Sequence, residues 1–317
     1  MKIVGSAPGK LILFGEHASS RNRPAIVFAI NKRLEAILTE HNEKQKKILL
    51  SSRELNIEYA IYPDNRLDLL TKTIEIFLKE TNSSPGNFSI KIESNILSGF
   101  GSSAAVIAAT LGVLDKYYQT NLSSYKMLKI GLQANYAVKG YGSGLDIGAS
   151  IFGGVIKYHQ GKKPIELPNK NLNLVIGNTG IKTASEPIVK AVKLFESKNP
   201  YEAFEIFNDM ERIVHQAESF IKKSKNVNLG ILMDRNQELL RRLNVSSPIL
   251  EEMIKAAKEN GALGAKLSGA GIGDNMIAIT RQYNRKKVIN ALNKTHGKAL
   301  PDITIDPIGL NVSEINF

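Results

Sequence analysis

From Ile96 to Tyr118 the chain reads ILSGFGSSAAVIAATLGVLDKYY, a glycine and serine segment set directly against an alanine-rich apolar run. The run from Ala104 to Tyr118 predicts a helix. Packing alone does not ask for so much small, flexible chain at a helix head, whereas a large anion does. The first N–H groups of a helix lack intrahelical partners and carry the positive end of its dipole, so phosphate oxygens suit them. Glycine lets the backbone close on such a group without a Cβ in the way. Ser98, Gly99, Phe100, Gly101, Ser102, Ser103 and Ala104 are therefore the candidate anion cradle. Ser103 adds a hydroxyl for phosphate or a hard cation. The segment lacks the GK[ST] ending of a P-loop and the glycine spacing of a dinucleotide fold. Its plain alternative is a flexible turn leading into a tightly packed small-residue helix.

With 317 residues the chain is long enough for a core that divides in two. Its 43% hydrophobic and 23% charged residues are those of an ordinary globular protein. The formal net charge of +12 favours anionic partners, either nucleic acid or an acidic metabolite. Basic residues occur in short runs, EKQKK at 43–47 and FIKKSKN at 220–226, with no zinc-finger spacing and no aromatic basic platform. A small anionic ligand and a solvated lysine surface are expected, with no nucleic acid and no membrane as partner. The absence of cysteine excludes disulfides, thiolate metal sites and cysteine nucleophiles. No leader-like or membrane-length apolar run is present, which points to the cytoplasm.

KIVGSAPGKLILFGEHA predicts two short strands joined by a turn at SAPGK, and RPAIVFAINKRLEAIL continues the β pattern. Helical spacing follows at 68–81, a strand at 86–94, and a serine-capped helix at 123–140. GYGSGLD reads as a loop, and ASIFGGVIKYH at 149–159 as strand-like. Beyond Pro168 the pattern becomes mostly helical, with helices at 184–197, 200–224, 228–243 and 248–260. A strand, a glycine loop and a strand occupy 264–281, a helix 285–295, and a strand closes the chain. The pattern is α+β in two lobes, residues 1–168 and 169–317.

Three further segments carry chemistry. SAPGKLILFGEHA gathers Ser6, Lys10, Glu16 and His17, where a lysine after glycine can set a cation beside phosphate. GYGSGLD places Asp146 after Gly140, Gly142 and Gly144, where a carboxylate can orient or deprotonate an attacking hydroxyl. KLSGAGIGD holds Gly269, Gly271, Gly273 and Asp274 in a second glycine loop. Each has an ordinary reading in isolation: a solvated lysine, a structural histidine, a capping aspartate, a tight hairpin.

Taken together and in this order, APGKLILFGEH, GFGSSAAV and KLSGAGIGD resemble the three motifs of the GHMP kinases. Within that superfamily the chain looks most like the archaeal-type mevalonate kinases. The resemblance implies a lobe similar to ribosomal protein S5 domain 2, a ferredoxin-like C-terminal lobe, and ATP and Mg²⁺ as cofactors. It implies that residues 98–104 cradle the ATP phosphates with Gly269 and Gly271 supporting the nucleotide end. Ser103 matches a Mg²⁺ ligand, Asp146 the catalytic aspartate and Lys10 its lysine partner. Glu16, His17, Arg21 and Gly144 fall where the acceptor binds. A homodimer is compatible with the resemblance.

The departures bear on the acceptor. Asn95 and Phe100 stand where the second motif has proline and leucine, and Asn135 stands where mevalonate kinases carry a glutamate ligand for Mg²⁺. A neutral amide can coordinate but cannot neutralise. SSRNR, with Arg21 and Arg23, replaces the usual stretch after GEHA, while GSGLDIGASIFG and GIGD look more like phosphomevalonate kinase. The expected acceptor is mevalonate, with mevalonate 5-phosphate and mevalonate 3-phosphate as alternatives. A non-catalytic nucleotide-binding scaffold and a nucleic-acid-binding protein are the readings from other classes.

Overall fold

A computed structural model describes residues 1–41, 47–169 and 172–315, so the basic run at 43–47 lies, except for Lys47, outside the described residues. The chain forms two compact units, each assembled from separated stretches. Residue 168 falls inside the second of them.

The first unit comprises Met1–Lys10, Ala29–Gly154 and Asp306–Phe317. Its sheet draws on β1 (Lys2–Phe14), β2 (Ala25–Glu40), β3 (Ile48–Ser52), β4 (Ile57–Ile61), β5 (Phe88–Ser94) and β12 (Asn311–Ile315), in the order β12-β1-β2-β5-β3-β4. β3 runs parallel to β5, and β12 is antiparallel to β1 with Lys2 opposite Ile315 and Ser6 opposite Asn311. Four helices accompany the sheet: α1 (Asp68–Thr81), α2 (Ser102–Tyr118), α3 (Ser124–Lys139) and α4 (Leu145–Phe152). α2 packs against each of the other three. Its small residues permit this. A Cβ on Gly5 of β1 would lie 2.6 Å from the Ala109 carbonyl, and one on Gly131 of α3 would lie 2.8 Å from Ile107. The expected serine cap is present, with Ser123 accepting from the Lys126 amide at 3.2 Å.

Two local expectations are corrected. β1 is one continuous strand across SAPGK, with no turn. Pro8 and Gly9 signal a turn by composition, but Gly9 serves close approach: a Cβ there would lie 2.7 Å from the Phe100 carbonyl. Likewise, residues 145–152 are helix rather than loop and strand, and β6 begins at Val155. Gly144, at φ 83°, starts the helix, and Gly153, at φ 70°, ends it.

The second unit comprises Leu11–Phe28 and Val155–Ile305. Here Ala25–Phe28 of β2 pair with β6 (Val155–Tyr158), which pairs with β7 (Ile165–Leu167). A separate antiparallel sheet runs in the order β11-β8-β10-β9, with β8 Leu174–Asn178, β9 Ala262–Ser268, β10 Asn275–Thr280 and β11 Lys298–Ala299. The helices are α5 (Ser185–Lys198), α6 (Pro200–Lys222), α7 (Asn226–Arg242), α8 (Pro248–Glu259) and α9 (Arg285–Leu292). α7 and α8 pack on β9 and β10, burying Leu232, Met233, Leu250, Met253 and Ile254. Among the described residues no helix is long and apolar enough to cross a membrane.

Candidate active site

The glycine and serine segment at 98–104 is fixed from below by Phe100, which is fully buried and whose burial contributes about 2 kcal/mol. Its carbonyl accepts the Lys10 amide at 2.8 Å, so β1 and this loop are joined at the residue that matters. Gly99 and Gly101 hold φ of 83° and 84°, a region that favours glycine. At Gly101 there is a second reason: a Cβ would lie 2.9 Å from both Cγ and Cε of Lys10. The lysine stem therefore crosses the loop where a side chain would otherwise stand.

α2 begins at Ser102 with no side-chain cap. The Ala104 and Ala105 amides turn back to the Gly101 carbonyl at 3.1 and 3.3 Å. Among the described residues the Ser102 and Ser103 amides have no backbone acceptor. A 17-residue helix thus opens on unpartnered donors behind a glycine bend, an arrangement that fits an anion.

Lys10 Nζ lies 3.1 Å from Asp146 Oδ1. The lysine side chain is 8% exposed and the carboxylate 46% exposed, so the cation is fixed in the fold while the carboxylate opens outward. Asp146 stands in the first turn of α4. Asn135 on α3 donates from Nδ2 to the Tyr141 carbonyl at 2.9 Å, pinning the segment that leads to Gly144. The first unit thus brings together Lys10, Phe100, Gly101 and Asp146, with Asn135 bracing the approach to Asp146.

The second unit gathers a different set. Ile12 and Ser268 exchange two hydrogen bonds, Ile12 N to Ser268 Oγ at 2.9 Å and Ser268 Oγ to the Ile12 carbonyl at 2.8 Å. Glu16 and Lys266 form an ion pair with both side chains fully buried, and Asn236 donates to the same carboxylate at 3.4 Å. Burial pushes the Glu16 carboxyl up and the Lys266 ammonium down, each opposed by the attraction of the other.

His17 Nε2 donates to the Ala270 carbonyl at 2.9 Å, in the middle of the glycine loop. Burial, with Arg21 and Lys266 nearby, lowers the His17 pKa to about 4. The ring is therefore neutral at pH 7 with its proton on Nε2. Arg21 stacks over Phe207 at 4.4 Å, and its Nε donates to Glu196 at 2.8 Å. Arg23 pairs with Glu211 at 3.2 Å and donates to Asn208 at 2.7 Å. Glu16, His17 and Arg21 Nε and Nη1 thus bond within this unit, binding segment 12–21 to β9, the glycine loop and α5, while Arg21 Nη2 is buried without a hydrogen-bond partner among the described residues.

The 269–274 loop is strained. Gly269 and Gly271 hold φ of 109° and 98°, and Ile272 and Asp274 hold 65° and 55°, which is costly for a β-branched side chain. A Cβ on Gly271 would lie 2.0 Å from the Val245 carbonyl. Thr183 braces the loop by donating to Asp274 at 2.9 Å.

Several of these partners escape a motif reading. Lys266 and Glu16 are single charges inside apolar runs, ALGAKLSG and LILFGEHA, and that isolation is the available signal that they are buried against each other. Thr183 carries no such mark.

The chain matches the GHMP kinases N terminal domain over residues 68–154 and the GHMP kinases C terminal domain over 217–298. It is 34% identical over 340 aligned positions to a mevalonate kinase of Pyrococcus furiosus, covering 99% of both chains. The solved structure of the Listeria innocua Lin0012 protein shares the fold at a TM-score of 0.90 and 20% identity, covering 99% of this chain and 100% of that one. The L. major mevalonate kinase in complex with R-mevalonate superposes at a TM-score of 0.74 and 27% identity, over 91% of this chain and 90% of that one. Whole-length similarity and the matches to both domains establish that the chain belongs to the GHMP kinase superfamily, with archaeal mevalonate kinases among its relatives.

Proposed function

We propose that this protein transfers the γ-phosphoryl of ATP to the primary hydroxyl of mevalonate. As a GHMP kinase it is an ATP-dependent phosphotransferase acting on a small molecule. The observation that carries the fuller reading is the Lys10–Asp146 pair, 3.1 Å apart, with the lysine stem laid across Gly101 at the head of α2.

On this reading the triphosphate lies against the Ser102 and Ser103 amides. Lys10 offsets charge on the transferring group. The exposed Asp146 carboxylate orients the acceptor hydroxyl and takes its proton as the new O–P bond forms. The bond to the β-phosphate oxygen breaks, and ADP leaves with that electron pair. Mg²⁺, when bound, draws charge from the phosphate oxygens. The Ser103 hydroxyl and the Asn135 amide oxygen are neutral, hard donors of the kind it accepts. Among the described residues no cluster of three or more His, Cys, Asp or Glu side chains suits a metal. The donor set therefore fits a cation held chiefly by the nucleotide and water. Gly144 sets the entry to Asp146.

Mevalonate is favoured over its phosphates by the arginines. A second phosphate on the acceptor calls for unengaged guanidinium groups. Arg21 and Arg23 are already charge-paired with Glu196 and Glu211, although Arg21 Nη2 makes no hydrogen bond among the described residues. The deciding experiment measures ADP release with ATP and Mg²⁺ against mevalonate, mevalonate 5-phosphate and mevalonate 3-phosphate in parallel. The expected result is kcat/KM highest for mevalonate by at least about tenfold. A phosphorylated acceptor in first place overturns the assignment, and no turnover with any of the three overturns the pathway.

A further inference from the structure

Asn135 lies near the end of α3, half-buried, and its side chain reaches off the helix to the glycine segment 140–144. Nδ2 donates to the Tyr141 carbonyl at 2.9 Å. A Cβ on Gly142 would lie 2.6 Å from the same nitrogen, so the segment wraps tightly around the amide. The partner is a carbonyl oxygen, which only accepts. An amide nitrogen serves there, whereas an ionised carboxylate would set oxygen against oxygen.

The segment needs such an anchor. Gly140, Gly142 and Gly144 hold φ of 69°, 126° and 83°, and glycine loses more conformational freedom on folding than any other residue. At one end the Gly140 amide donates to the Tyr136 carbonyl of α3 at 2.8 Å. At the other, the Gly144 carbonyl accepts the Gly148 amide at 2.9 Å and α4 begins. The bond from Asn135 falls between these two points.

What the segment places is Asp146, two residues beyond Gly144 in the first turn of α4. Its carboxylate is nearly half exposed, so packing around the side chain does little to fix it. Its position follows from the backbone that carries it. Yet Asp146 Oδ1 meets Lys10 Nζ at 3.1 Å, and that lysine is enclosed by the fold. A displacement of α4's first turn would be felt directly in this distance.

On the kinase reading, we propose that Asn135 is a positioning residue for phosphoryl transfer: by holding the Tyr141 carbonyl it fixes the segment from which α4 starts, and so sets Asp146 against Lys10 and the acceptor hydroxyl. A carboxylate at position 135 would strengthen any contact with a cation but would lose the donor. The two roles therefore give opposite outcomes for one replacement.

The test compares wild type, Asn135→Asp, Gly142→Ala and the double variant as full chains. The measurements are steady-state kinetics at saturating Mg²⁺, and hydrogen exchange of residues 140–148 without ligand. Asn135→Asp is expected to lower kcat about tenfold while KM for ATP stays within about twofold. Exchange across 140–148 should quicken about tenfold, with the body of α3 at 124–134 unchanged. Gly142→Ala presses on the same nitrogen from the segment's side and should act alike. The double variant should be no worse than the poorer single variant, because both replacements remove one contact. Should Asn135→Asp fail to fold, Gly142→Ala supplies the same two readouts. Unchanged or raised kcat in Asn135→Asp, a lowered melting temperature with exchange at 140–148 unaltered, or losses that multiply in the double variant overturn the proposal. Wild type that phosphorylates none of the three acceptors overturns the kinase reading itself, and this is seen before any variant is compared.

Discussion

Asp146 and Lys10 divide their work by exposure: the ammonium is enclosed and the carboxylate is open, 3.1 Å away. On the proposed reading, Asp146→Asn keeps the shape and removes the proton acceptor. It is expected to lower turnover at least about 10²-fold in a steady-state assay while ATP still binds by calorimetry. Unchanged turnover removes Asp146 from the chemistry. His17 gives a prediction of a different kind. Its folded pKa of about 4 lies below the 6.5 of an ordinary histidine, so between those values the unfolded chain holds the extra proton. Stability from this residue is full above pH 6.5 and is lost progressively as pH falls toward 4. The loss should reach at most about 3 kcal/mol. Replacing His17 by Gln should flatten the acid side of the melting-temperature profile in that window, and an unaltered profile counts against a buried neutral ring. The closeness of Lys10 and Asp146 was legible only through the resemblance, since each segment alone has an ordinary reading. Glu16 was misleading. It sits in a motif, yet its charge is directed to Lys266, 250 residues away, and no local pattern encodes a partner at that distance.

At the scale of elements, the loop and the helix it opens depend on the absence of a Cβ at one position. Gly101→Ala places an alanine at φ 84° and drives its methyl to within 2.9 Å of the Lys10 stem. The expected outcome is a loss of roughly 1–3 kcal/mol in denaturant unfolding. A larger proportional fall should appear in kcat than in stability, because Lys10 must move. Wild-type kcat in that variant detaches the loop from the lysine. Most helices were readable: α1 spans the predicted 68–81, and α5 to α8 fall within two residues of their expected ends, because apolar spacing and caps agree there. β1 and α4 were not. In β1 a glycine serves close approach and in α4 a glycine starts the helix, functions that composition cannot tell from a turn.

For the molecule as a whole, the buried Glu16–Lys266 pair couples the segment after β1 to β9 within one unit. Removing one partner leaves an uncompensated buried charge, so Glu16→Leu or Lys266→Met alone should cost about 3–5 kcal/mol, while the double replacement should recover much of it. Equal losses in single and double variants, read by chemical denaturation, argue against the pairing. The net charge of +12 acts at longer range. Anionic substrates should bind less well as salt rises, with KM for ATP increasing at least about threefold between roughly 0.05 and 0.5 M KCl. The two-lobed α+β class was legible from the order of strand and helix patterns. The interleaving of the stretches that build each unit was not, since it depends on pairings between distant residues. One of those pairings has a bearing on biosynthesis. β12 seals the flank of β1, with Ile315 opposite Lys2, so a nascent chain leaving the ribosome carries its first strand with an open edge until residues 311–315 emerge. Such a chain offers chaperones a client for as long as that edge stays open, and a peptide copying 311–315 should compete for that edge in a ribosome-stalled intermediate.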